Sequence, residues 1–410
     1  MSDFGKNKVM NNQMQNQLKI LVVLYLCLPL SAIPAEKSDH AKYVQHVEQG
    51  FVFLFQGNNK EAIAAFESAL AVEPKHYEIL HYLGVAYAQE KFWNKAVEVY
   101  QRSLDLKPDN IEALHSLSIV YFKLNQWADA VEPLRKVITL SPQHARGREL
   151  LGKVYLKLRQ FSDAADVLTR AIELKPDAAG TYNDLGTVYL NLKDYPQAIE
   201  NFTKAIKFGP PRYAEPHHGL GTAYLRIGDR EKSIKEMQIY QQLQEEFAEY
   251  ERFSRLTRTE PNSLEAWKGL ANVLIRQKKY NEVVPAFQKC IEIASRQRMS
   301  ADVIASFYHG LSQAFINLNY PKHAQESVGK AIQLAPNVAV FYNTLGSTYA
   351  ILGDVRNAIP AFRKAIELDG EQPHYHLNLS KLYQSIGNHK LAKEHYQAYE
   401  YFLSKQKQNK

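Results

Sequence analysis

The sequence predicts an all-α chain, a solenoid of about ten two-helix hairpins, and three observations carry that prediction. Prolines stand at Pro74, Pro108, Pro142, Pro176 and Pro210, each the same interval after the one before, a period of about 34 residues. In the same frame Gly84, Ser118, Gly152 and Gly186 recur, each followed three residues later by Tyr87, Tyr121, Tyr155 and Tyr189. Between these marks the apolar residues keep three- and four-residue spacing, the period of an amphipathic helix. A fixed period of this length marks units that cannot bury their apolar face alone and must stack.

The elements follow in chain order. Lys19 precedes an uninterrupted apolar run from Ile20 to Leu30, and small residues follow through Ala35. A basic flank, a short apolar core and a small-residue exit are the parts of a secretory signal, here 1–35. The expectation is export, to the periplasm or beyond, with cleavage after Ala35 and Met14 as the working start. An uncleaved anchor over 20–33 is the alternative, and it gives the only membrane contact the sequence predicts.

Blocks of this length begin near residue 43. Turn pairs such as Gly57-Asn58, Gly228-Asp229, Gly353-Asp354 and Gly387-Asn388 are expected to stop helix A and cap helix B. The closing prolines are expected to end helix B and to favour the first turn of the next helix A. The period is broken by extra sequence in 237–261, where Met237, Tyr240, Leu243, Phe247, Tyr250, Phe253 and Leu256 keep helical spacing. It reads as one long helix B, or a helix plus a half-repeat, separating a first set of repeats at 43–256 from a second at 257–406. A smaller insertion lies near Ser295–Ser300. The last helix, His389–Lys405, closes the stack, and the tail from Lys405 is expected to fray.

With Tyr182, Leu185, Gly186, Tyr189, Ala198, Phe202, Ala205 and Pro210 in frame, the chain resembles the tetratricopeptide repeat (TPR) family. Later blocks match through Trp267, Leu270, Ala271 and Phe287; Leu311, Ala324, Ala331 and Pro336; and Leu345, Gly346, Tyr349, Ala358, Phe362 and Ala365. The resemblance covers roughly 43–406. It implies a right-handed α-solenoid that binds a protein partner along its helix-A face.

Composition narrows the function classes. The 410 residues are 45% apolar and 23% charged, an ordinary globular balance. Two cysteines, Cys27 and Cys290, allow neither a disulfide framework nor a thiolate zinc site. Cys290 stands where other blocks carry alanine and reads as core. The formal charge of +7 is spread among acids, as at Glu61, Glu67, Lys91, Glu98, Arg102 and Asp105, so no nucleic-acid stripe is present. No phosphate loop, dinucleotide fingerprint, nucleophile elbow or zinc helix occurs, and the repeats fill the chain. The expectation is a protein without enzymatic activity and without cofactor or metal.

When each block is counted so that Gly84, Gly186 and Gly346 take the eighth place, the fifth place of helix A is polar throughout. It holds His81, His115, Glu149, Asn183, His218, Lys268, His309 and Asn343. With Asn272, these are the candidate contacts for a partner peptide or helix, either as a polar track for an extended backbone or simply as a solvated face. Neighbouring helices A lie on the order of 10 Å apart, too far for His81 and His115 to share a zinc ion. The histidines would make partner affinity pH-dependent between about pH 5.5 and 8. Lys268 and Asn272 also match two of the five residues with which the chaperone-binding branch of the family holds a carboxylate tail. Gly310, Val340 and Thr344 occupy the other three places. In the first block Phe51, Leu54 and Phe55 form an apolar patch, read either as an anchor pocket for a partner or as a face covered by folding back of residues 36–42 or by self-association.

The function predicted is a scaffold of the cell envelope, of the kind used in pilus, secretion or polysaccharide-export assemblies. The alternative is an adaptor that regulates a partner enzyme, with a cytosolic co-chaperone behind it.

Overall fold

A computed structural model describes residues 35–408, and the expected targeting segment lies outside them apart from Ala35. The described residues form twenty helices, α1 (Ala35–Gln56) to α20 (His389–Gln408), paired as ten antiparallel hairpins. Odd-numbered helices are helix A and even-numbered ones helix B. No helix among the described residues is long and apolar enough to cross a membrane.

Each hairpin closes on the small residue of helix A. A Cβ added to Gly84 in α3 (Tyr77–Gln89) would lie 2.5 Å from the ring of Tyr100 in α4 (Trp93–Leu106). Gly346 in α17 (Ala339–Ile351) meets Phe362 of α18 (Val355–Leu368) in the same way, at 2.7 Å. These approaches let the two axes cross closely enough to bury an aromatic ring between successive hairpins.

The turn from A to B is the same in every hairpin. One residue sits in the left-handed region, at Gly57, Lys91, Asn125, Arg159 and Lys193, again at the interval of the prolines. Its N–H bonds back three residues and the next N–H back five, as Lys193 does to Leu190 (3.2 Å) and Asp194 to Tyr189 (2.9 Å). That pattern satisfies the last carbonyls of helix A. Asp194, Asp229, Asp354 and Asn388 then cap helix B through their side chains. Asn58 does not; its amide donates to Gln56 instead.

Three expectations are corrected. The repeating prolines stand in the B-to-A connection, not in the first turn of helix A: α4 ends at Leu106, and α5 (Ile111–Lys123) starts three residues after Pro108. Lys107, held extended (φ −139°, ψ 86°) because it precedes a proline, is what stops α4. Residues 36–42 do not fold back but prolong α1. Lys405–Gln408 remain helical, and Lys405 is tied to Glu371 at 2.8 Å.

Of the extra sequence in 237–261, all but Glu260 and Pro261 belongs to one helix, α12 (Arg230–Thr259), 30 residues long. The chain divides into two compact units inside it, between Tyr240 and Gln241, whereas the repeat frame changes block at 256/257. In the first unit the start of α12 packs on α11 (Glu215–Arg226), with the Ser233 hydroxyl donating to the Gly221 carbonyl at 2.8 Å. In the second unit Lys279 lies over the Tyr250 ring, 4.6 Å from its centroid. The insertion near Ser295–Ser300 lengthens α14 (Tyr280–Arg296) and α15 (Ala301–Asn317) to 17 residues each.

Candidate functional site

The helix-A face is assembled from the fifth and sixth places of successive hairpins. Three pairs at one constant separation join the fifth place of one helix A to the sixth of the next. Nε2 of His309 on α15 lies 2.9 Å from the Thr344 hydroxyl on α17. That hydroxyl donates its own proton to the Val340 carbonyl, so His309 is the donor and carries its proton on Nε2. Asn378 on α19 (Pro373–Ser385) donates from its amide to Oδ1 of Asn343 at 3.0 Å. In the first unit, the Glu149 charge on α7 (Ala145–Lys157) helps raise the carboxyl pKa of Asp184 on α9 (Ala179–Leu192).

The predicted residues divide by environment. His81 is packed against Tyr82 and the Tyr100 ring, with centroids 5.3 and 5.6 Å away, and its Nδ1 is buried without a hydrogen-bond partner. His115 meets the edge of His144 at 5.0 Å, while His144 accepts from the Gly147 N–H and caps α7. Burial pushes His81, His115 and His309 down to about 4; at His115 the neighbouring His144 and Arg146 add to it, and at His81 Glu112 and Glu78 oppose it. These three are therefore neutral throughout pH 5.5–8, which removes them as the source of the pH-dependent affinity expected from the sequence. His218, Lys268 and Asn272 are exposed, and the His218 ring lies 5.1 Å from that of Tyr240. Asn183 and Glu149 are half-buried.

The apolar patch of the first block is absorbed into the fold. Leu54 is buried, and Phe51 packs edge-on against Phe66 and Tyr82, with centroids 5.4 and 4.7 Å away. Phe55 is half-buried and offers only part of its ring.

Sequence reasoning missed the sixth-place residues Asp184, Thr344 and Asn378. Burial, with Glu149 adding to it, lifts Asp184 to about 6, against the pull of Lys153, whose ammonium lies 3.7 Å away. It also missed His217, whose Nδ1 donates to Glu236 at 2.6 Å. The signal that could have found the sixth-place residues is their constant separation from the fifth place of the preceding block. It links one block to the next, and no single block displays it.

A pocket of about 330 Å³ opens between the first two hairpins, lined in part by Glu67, Tyr87, Lys95 and Arg102. The Tyr87 hydroxyl donates to Glu67 there, and Lys95 lies 5.3 Å from the ring centroid. Cys290 is buried in α14, and burial pushes its thiol up to about 12. Among the described residues no group of three or more histidines, cysteines or carboxylates is arranged to hold a metal ion.

Family models agree with this architecture. Those described as tetratricopeptide repeat match residues 48–111, 179–210, 264–297, 305–338, 339–372 and 373–400. A model described as anaphase-promoting complex, cyclosome, subunit 3 matches 99–171. Among solved structures, one of MamA protein is 28% identical, with 43% of this chain and 95% of that chain covered and a TM-score of 0.40. One of MamA 41-end from Desulfovibrio magneticus RS-1 is 26% identical, with 41% and 94% covered and a TM-score of 0.40. No curated protein matches the chain. With ten hairpins of one pattern and repeat models matching more than half its length, the chain belongs to the tetratricopeptide repeat family.

Proposed function

We propose that the protein is a non-catalytic scaffold that holds a partner peptide or helix along its helix-A face, as part of an assembly in the cell envelope. The observation that carries this reading is the cross-hairpin pairing of Asn343 with Asn378 and of His309 with Thr344. Each pair fixes the rotamers of groups that keep further hydrogen-bonding capacity: the Asn343 amide retains two N–H donors and the Asn378 amide an acceptor. Donors and acceptors held in place at low entropic cost are what a binding surface for an extended backbone needs. Exposed Lys268 and Asn272 continue that face toward α13 (Leu264–Arg276). Export rests on the composition of residues 19–35, and the assembly would be of the pilus, secretion or polysaccharide-export kind.

Two measurements test the reading. Affinity capture from the envelope fraction should recover a partner with the wild-type protein and lose it with Lys268→Glu, Asn343→Ala and Asn378→Ala combined. Retention of the same partner by a folded triple variant would move the site elsewhere. Intact mass should give an N-terminus near Glu36; an unprocessed chain in the cytosol would contradict export.

A further inference from the structure

In the last two hairpins three places on helix B bear on the contact with a following hairpin: the twenty-first, twenty-fourth and twenty-eighth. In α18 they hold Ile359, Phe362 and Ile366, which pack into one cluster with residues of α19, and Phe362 is 2% exposed. In α20 the same places hold Lys393, Tyr396 and Glu400. Tyr396 is 46% exposed, with the Tyr399 ring of the same helix 5.7 Å away, and Lys393 and Glu400 are exposed on either side of it.

A helix face that served only to meet water would carry polar residues at all three places. This one keeps the aromatic ring in the middle and replaces the two flanking isoleucines by charges of opposite sign. Lys393 and Glu400 are two helical turns apart, about 10 Å along one face, with Tyr396 between them. Such a stripe is its own complement. When a second α20 is laid antiparallel about a two-fold axis between 396 and 397, Lys393 of each copy faces Glu400 of the other. The two Tyr396 rings then meet at the axis, and the contact closes as a dimer.

We propose that α20 is a homodimerisation surface, and that the partner covering Tyr396 is the α20 of a second copy of this chain. A partner of unrelated sequence would not require the two charges to flank the ring and to differ in sign. A single helix pair is a small interface, so the dimer forms in the micromolar range and weakens as salt screens its ion pairs.

The test is sedimentation velocity on the full chain from about 1 to about 200 μM, the span over which a small interface of this kind associates. Wild type should pass from monomer to dimer. Lys393→Glu places like charges opposite each other twice, and should weaken association at least about tenfold. Lys393→Glu with Glu400→Lys restores opposite charges and should restore the dimer. Tyr396→Glu should abolish it. All three positions are exposed, so the variants should keep the wild-type circular dichroism spectrum. A wild type that stays monomeric to the highest concentration overturns the proposal. So does a dimer indifferent to Lys393→Glu and Tyr396→Glu, or a double reversal that fails to recover.

Discussion

Nε of Arg135 on α6 (Val131–Leu140) donates to the hydroxyl of Tyr155 on α7 at 2.9 Å, joining helix B of one hairpin to helix A of the next. The link recurs with other donors at the same separation in sequence: Gln101 to Tyr121 at 3.0 Å and Arg363 to Tyr383 at 2.9 Å. The repeated tyrosine therefore does more than fill space, since its ring packs between hairpins while its hydroxyl reaches a polar side chain at the rim. Tyr155→Phe should cost little, because Arg135 is itself solvated. Tyr155→Ala should cost about 3–5 kcal/mol through the cavity it leaves. Denaturant midpoints of the two variants, read at constant slope, check the difference.

The left-handed turn residue predicts stabilising as well as destabilising changes. Lys193 adopts φ 64°, where a side chain costs about 1–2 kcal/mol that glycine avoids. Lys193→Gly should be neutral to stabilising by up to about 1 kcal/mol, after the larger backbone entropy of glycine is allowed for. Gly353→Ala, at φ 75°, should destabilise by about 1 kcal/mol. Thermal melting of both variants settles the sign.

Acid should loosen the fold through its histidines. His81, His115 and His309 sit at about 4 in the folded protein, against about 6.5 unfolded. Because the folded pKa values are depressed, the unfolded chain binds more protons below pH 6.5. Stability is thus complete above that value and falls between about pH 6.5 and 4. Asp184 runs the other way: its folded pKa of about 6 lies above the unfolded value, so its contribution weakens as pH rises from about 4 to 6. Three histidines outweigh one carboxyl, and unfolding free energy should drop on acidification. Asp184→Asn should stabilise the protein at pH 7 and have little effect near pH 4. Stability of the variant measured at both values checks this.

Much of the fold was legible because each hairpin states its own rules. Gly84 opposite Tyr100 and Gly346 opposite Phe362 are small–large pairs at one spacing, readable within a single block. The turn at Lys91, Arg159 and Lys193 was hidden, because those residues carry no mark of left-handed backbone, whereas Gly57 and Gly353 do. The helix-A face was half legible. Its fifth place is polar in block after block, but the burial of His81 comes from Tyr100 on another helix, and the pairing of Asn343 comes from Asn378 on another hairpin. Phe51 and Leu54 resemble a free patch in the sequence because the residues that cover them, Phe66 and Tyr82, follow later in the chain.

The most direct test of the binding account is site-specific photo-crosslinking in cells. The probes belong at Asn272 and Gln313, exposed at the same place on two helices A, with the exposed helix-B residue Glu367 as the control. The account predicts one partner protein crosslinked from both helix-A positions and none from Glu367. Equal crosslinking from all three, or from Glu367 alone, would contradict a partner held on the helix-A face.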